Sequence, residues 1–225
     1  MPTVFITGSN RGLGLEFARQ YAHAGWRVIA TCRDLGCSAK LSDLPGVEIH
    51  ALDVTDYGGI TVLAEKLRDK PIDLMLCNAG VFGADQEFGM VDADDFAETL
   101  KVNVIAAMML AQAFRPHVAA SQGRVMAFLS SRMGSIADNA SGGFYIYRAS
   151  KAALNAVVKS LSVDLESSGI VSLALHPGWV KTDMGGEAAP LSPGESINGL
   201  RKVLSQVTSQ HSGKFLSYDG EEIPW

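Results

Sequence analysis

TVFITGSNRGLGLEF, residues 3–17, passes from a short apolar, β-branched run to an amphipathic one across a turn that holds Gly8, Gly12 and Gly14. The change of period makes the first run a strand and the second a helix, with the glycines marking the tight turn between them. The same succession recurs along the chain. Further strands are expected in WRVIATC, VEIHALDV, IDLMLCNAG, RVMAFLSS, IVSLALHPG and KFLSYDG. Helical patterns lie between them in ITVLAEKLRD, the long DADDFAETLKVNVIAAMMLAQAFRPHVAAS, the stretch from Tyr145 to about Ser167, and SINGLRKVLSQVTS. The strands are apolar along their whole length, as a parallel sheet covered on both faces requires. Alternating strand and helix give right-handed crossovers, so the expected fold class is α/β, a doubly wound parallel sheet of about seven strands with helices on both faces. No linker composition, charge run or fixed-period repeat divides the chain, and residues 1–225 read as a single domain.

A hydrophobic share of 47% in 225 residues is ample for a packed core. The formal charge is −5 and no lysine and arginine cluster suits a phosphate backbone, so no nucleic-acid partner is expected. MPTVFITGSN has no basic leader, and its apolar run is too short for a signal peptide or a membrane span; a cytoplasmic protein with no membrane partner is expected. Cys32, Cys37 and Cys77 are an odd count without CxxC spacing, which reads as reduced thiols and not as a disulfide framework or zinc site. No metal site is expected, since no ligands cluster; His50 and His176 read as packed side chains, and the Met108 and Met109 pair as core or interface.

In such a sheet, ligands bind at the carboxyl ends of the strands near the point where strand order reverses. The unusual residues of this sequence fall there. The TGxxxGxG turn, with Gly8, Asn10, Arg11, Gly12, Leu13 and Gly14, lets backbone approach a pyrophosphate whose charge the helix N-terminus attracts. ATCRDL ends the second strand where a dinucleotide fold meets the adenosine ribose. Arg33 ahead of Asp34, together with Arg11, suits a 2′-phosphate, so NADP(H) is expected over NAD(H). The competing reading leaves Arg33 solvated and has Asp34 accept from a free ribose hydroxyl. Asp53, followed by Val54, is placed to bond the adenine edge, and CNAG, with Asn78, Ala79 and Gly80, makes room for a flat ligand against bare backbone.

YIYRASKAAL, residues 145–154, puts a phenol and an ammonium on one helix. Tyr147 and Lys151 are four apart and share a face, whereas Tyr145 meets Ala149 in that register. An adjacent ammonium favours phenolate, so Lys151 is expected to lower the Tyr147 pKa from its usual value of about 10 and let it exchange a proton near neutral pH.

TGSNRGLG, CNAG, KVN, the serine pair after the fifth strand, YRASK and HPGWVKTDM, in this order, resemble the short-chain dehydrogenase/reductase family over nearly the whole chain. HPGWVKTDMGG and the closing YDGEEIPW are most similar to its carbonyl-reductase-like branch, which includes the sniffer and C-factor proteins. The resemblance implies a Rossmann-type sheet, a nicotinamide cofactor and a catalytic set of Asn103, Ser131, Tyr147 and Lys151. Ser130 is the alternative to Ser131; Ser135 or Ser141 could also approach the site, because the RMGSIADNASGGF gap is longer than in common members. Pro177, Gly178, Val180 and Thr182 would border the nicotinamide, and Lys151 would bond its ribose. Ser131 would donate to the substrate oxygen as charge develops there, and Asn103 would hold a water linking Lys151 to solvent.

The function so implied is NADP(H)-dependent interconversion of a small ketone, aldehyde or quinone and its alcohol, with Tyr147 as general acid/base. The alternative is a dinucleotide-binding, C-factor-like signalling protein with little turnover, which would have no use for a matched proton donor and tuning lysine. A dehydratase or epimerase of the extended family would need a C-terminal substrate domain, for which too few residues follow Thr182. Residues 183–198, rich in glycine and proline, read as a mobile substrate lid. AAMMLAQAF and ALNAVVKSL are apolar enough to pair across a twofold axis, so a homodimer is expected, against burial of both within one chain.

Overall fold

A computed structural model describes residues 1–84 and 86–225. The opening stretch is strand, turn and helix as expected: β1 (Thr3–Ile6) runs into α1 (Gly12–His23). Next come β2 (Arg27–Cys32), the one-turn α2 (Ala39–Ser42), β3 (Val47–Ala51), α3 (Tyr57–Lys66) and β4 (Leu74–Cys77). The second half continues with α4 (Ala93–Leu100), α5 (Ala106–Ala119), β5 (Val125–Leu129), α6 (Tyr145–Asp164), β6 (Val171–His176), α7 (Pro193–Ser205) and β7 (Phe215–Ser217).

The seven strands form one sheet in the order β3-β2-β1-β4-β5-β6-β7, all parallel. The direction of winding reverses between β1 and β4, so the carboxyl ends of these two strands flank the crevice where such sheets take their ligands. Alternate side chains feed two cores. Phe5, Ile29, Met75 and Phe128 pack with Ile60 of α3, Phe114 of α5 and Leu154 and Val158 of α6. On the other face Val4, Val28, Leu76 and Leu173 meet Phe17 of α1, Leu41 of α2 and Ile197 and Leu200 of α7. Both faces of β1 are therefore dry, which is why its sequence does not alternate.

Two sequence expectations change in detail. The long helical pattern after Asp92 is not one helix: a π-helical turn, Lys101–Ile105, separates α4 from α5. The stretch expected as a lid is loop only to Ser192, where a capping box with Glu195 and a proline at the first turn start α7. Leu110, Ala111 and Phe114 of α5 and Leu154 and Val158 of α6 are buried within the chain, whereas Ile105 and Val163 stay exposed. Among the described residues no helix is long and apolar enough to cross a membrane, and no group of three or more His, Cys, Asp or Glu could hold a metal ion. The three cysteines are free.

Candidate active site

The strand ends open onto a cleft of about 390 Å³. Its first wall is the glycine turn. Gly8 and Gly12 hold left-handed backbone (φ 67° and 54°), and a methyl group on Gly14 would lie 2.1 Å from the Gly8 carbonyl oxygen and 2.6 Å from Asn78 Nδ2. Asn78 ties this turn to the end of β4: its Nδ2 donates to the carbonyls of Thr7 (2.8 Å) and Gly8 (3.1 Å). Thr7 Oγ1 in turn accepts from the backbone N–H groups of Asn78 (3.0 Å) and Ala79 (3.1 Å). Helix α1 starts at Gly12 with no side-chain cap, so its first N–H groups are available to an anion. Asn10, Arg11, Leu13, Ala79 and Gly80 line the same wall.

At the far end the cleft is bordered by Arg33, Asp53 and Val54. Asp34 is not on its wall; the carboxylate accepts from Gly36 N (2.8 Å) and caps the short turn Leu35–Cys37. Asp53 Oδ1 accepts from Thr55 Oγ1 (2.7 Å) and Thr55 N (2.9 Å). These bonds, with a smaller pull from the Arg33 charge, hold its carboxyl below the usual range. Arg11 pairs with Asp183 at 2.6 Å across the mouth, but both side chains are largely exposed, so the pair leaves the guanidinium little bound.

The inner end carries the polar pair of α6. Tyr147 and Lys151 are buried, while Tyr145 points outward, 42% exposed. Lys151 Nζ lies 5.6 Å from the Tyr147 ring centroid and donates to the Leu129 carbonyl at 2.8 Å. The expected lowering of the phenol is reversed: burial pushes Tyr147 up to about 12, opposed by the nearby Ser131 hydroxyl. Burial likewise pulls Lys151 down to about 8. The physical reason is that removal from water disfavours both charged forms, and the ammonium sits over the ring and not against the oxygen.

The serines differ in their partners. Ser131 is near enough to the Tyr147 phenol to oppose the rise in its pKa, and its Oγ accepts from Met133 N at 3.2 Å. Ser130 lines the cleft, and its Oγ donates to Asn155 Oδ1 at 2.6 Å. Ser135 donates to the Trp225 carbonyl and Ser141 is exposed beside Arg148, so neither meets the phenol. Asn103, turned inward by the π-helical turn, has its amide engaged: Oδ1 accepts from Val81 N (2.9 Å), and Nδ2 donates to Val81 O (2.9 Å) and Ser150 Oγ (3.0 Å). Pro177 and Thr182 line the cleft. Gly178 and Val180 lie behind it, Gly178 against Leu191 and Tyr218, and Val180 bridged to Leu191. His176 is a packed residue whose Nδ1 accepts from Arg132 N (3.2 Å), with burial lowering its pKa to about 4.

Several groups at the site had no separate signal in the sequence. Val81, Val102, Leu129, Asp183 and Met184 join the cleft wall. The turn after Ser131 is fixed from far along the chain: Arg132 pairs with Asp138 and Glu221, and the Trp225 carbonyl accepts from Ile136 N (3.2 Å) and Ala137 N (3.0 Å). The Trp225 ring stacks on Phe215 of β7 at 5.7 Å.

The model of the family described as short chain dehydrogenase matches residues 2–191. The C-signal of Myxococcus xanthus is 44% identical over 155 residues, 69% of this chain and 93% of that protein. Among solved structures, the carbonyl reductase Sniffer of D. melanogaster superposes with a TM-score of 0.93 at 33% identity, covering 100% of both chains. The NADPH-bound carbonyl reductase from chicken fatty liver has a TM-score of 0.91 at 33% identity, covering 100% of this chain and 99% of that one.

Proposed function

This chain belongs to the short chain dehydrogenase family, and from that premise we propose that it is an NADP(H)-dependent oxidoreductase that reduces a small ketone, aldehyde or quinone with Tyr147 as the proton donor. The observation that carries this reading is the buried Tyr147 phenol with Lys151 over its ring, at the inner end of a cleft whose outer wall is bare glycine backbone. The residues fit a dinucleotide: the uncapped start of α1 suits a pyrophosphate, and Arg33 with the weakly held Arg11 suits a 2′-phosphate. The NADPH of the chicken relative supports the same assignment. Bound nicotinamide would supply the hydride. Tyr147 would hand its proton to the carbonyl oxygen, and Ser131 would donate a hydrogen bond to that oxygen as charge develops. Lys151 would hold a ribose hydroxyl with the N–H directions that Leu129 leaves free.

The first test is binding of NADPH and NADH by the purified protein, followed by NADPH oxidation with aldehydes, diketones and quinones. Tight NADPH binding and turnover support the reading; no binding of either cofactor sinks it. The likeness to C-signal gives a second reading, in which binding without turnover is the function. The paired hydroxyls of Tyr147 and Ser131 argue against that, and NADPH binding with no turnover on the panel would restore it.

Two further outcomes follow from the site. Replacing Arg33 by alanine is expected to weaken NADPH binding about tenfold and leave NADH binding unchanged, the size of one charge-assisted hydrogen bond. Equal loss of both cofactors would remove the 2′-phosphate role from Arg33. The pH profile of kcat/KM for reduction, which reports groups of the free enzyme, is set by Lys151 and not by Tyr147. Because burial favours the neutral amine, the ammonium is present below about pH 8 and lost above it, while the phenol keeps its proton to about 12. The rate is therefore expected to fall as pH rises through about 8. A profile flat to pH 10 would show that the Lys151 charge plays no part.

A further inference from the structure

Helix α6 begins without a cap of its own. Phe144, the residue before it, is left-handed (φ 51°, ψ 41°), and its side chain makes no cap hydrogen bond. The first N–H groups of a helix need outside partners when they are buried. That of Tyr147 finds one far back in the chain: Tyr147 N donates to Gln86 Oε1 at 2.8 Å, and Gln86 Nε2 donates to the Phe82 carbonyl at 2.7 Å. Gln86 is 6% exposed, and the Phe82 ring lies against that of Tyr147 with centroids 4.6 Å apart.

The loop that carries Gln86 is itself anchored. Asn103 holds both backbone groups of Val81, and its Nδ2 also donates to Ser150 Oγ, which donates to the Tyr147 carbonyl at 2.8 Å. The Tyr147 backbone is thus held on both sides of its Cα, its N–H by Gln86 and its C=O by Ser150, with Asn103 closing the circuit. None of these bonds involves the phenol oxygen.

We propose that Gln86 is a positioning residue for proton transfer: by accepting from Tyr147 N it fixes where the phenol stands relative to Ser131. This rests on the assignment of Tyr147 as proton donor. A displacement of the reacting group by about 1 Å can cost up to about 100-fold in rate, so loss of the acceptor should appear in kcat and not in cofactor affinity.

The test compares the full chain with Gln86→Met and Gln86→Glu, measuring NADPH affinity by fluorescence and carbonyl reduction at saturating NADPH. Gln86→Met is expected to lose about tenfold in kcat with NADPH affinity unchanged. Gln86→Glu should keep nearly full kcat, because a carboxyl oxygen can still accept from Tyr147 N in either protonation state. Wild-type kcat in Gln86→Met, or equal damage in both variants, overturns the proposal. Amide exchange in the wild-type protein tests the bond without a substitution: the Tyr147 amide should exchange far more slowly than that of Tyr145, and equal rates overturn it even where Gln86→Met does not fold. A wild-type protein without turnover would sink the enzymatic reading, while the exchange rates would still decide whether the cap exists.

Discussion

Tyr147→Phe is expected to lower carbonyl reduction by about 100-fold to 10,000-fold, the range that a positioned general acid supplies, while NADPH affinity stays within about threefold. The substitution is unusually clean here. The ring keeps its contact with Phe82, and the backbone keeps its bonds to Gln86 and Ser150, so the only group removed is the hydroxyl that faces Ser131. Phenol held near 12 by burial is protonated at neutral pH, which is the form that reduction consumes. Retained turnover in this variant would show that another group delivers the proton; loss of NADPH binding would mean that the ring shapes the cofactor site.

Gly14→Ala is expected to weaken NADPH binding by at least about 100-fold, equivalent to about 2.7 kcal/mol, and to lower the melting temperature. The added methyl would meet the Gly8 carbonyl at 2.1 Å, a backbone atom that no rotamer change can move aside. Relief would need α1 to shift from β1, or Gly8 to turn away from Asn78, which now donates to it. Either movement alters the wall that Gly12 and Leu13 form. Normal NADPH affinity in Gly14→Ala, measured by titration, would exclude this turn from the binding surface.

The central strands were legible in the sequence because strands buried on both faces, such as LMLC of β4, are apolar throughout, whereas the edge strand β3, VEIHA, is largely half-buried and carries Glu48 and His50. The pairing of Tyr147 with Lys151 was legible for the equally local reason that helical register fixes which residues share a face. The protonation of that pair was not, since charge proximity is visible in spacing whereas desolvation depends on what the fold stacks above both groups. The π-helical turn was hidden because the contact it serves is with a distant segment: it turns Asn103 inward, where the amide meets the backbone of Val81. Gln86 had no signal of its own for the same reason. The start of α7 was present as SPGE, a capping box with proline, but its glycine and prolines also suit a loop.

The bonds from Trp225 and Glu221 to the turn after Ser131 join residues 90 and 89 positions apart. Removal of residues 221–225 would therefore release the ties on Arg132 and Ser135 while the glycine turn keeps its bonds to Asn78. Such a shortened protein is expected to hold the cofactor and lose rate, since the ground under the phenol's neighbour, and not the glycine wall, is what the last residues secure.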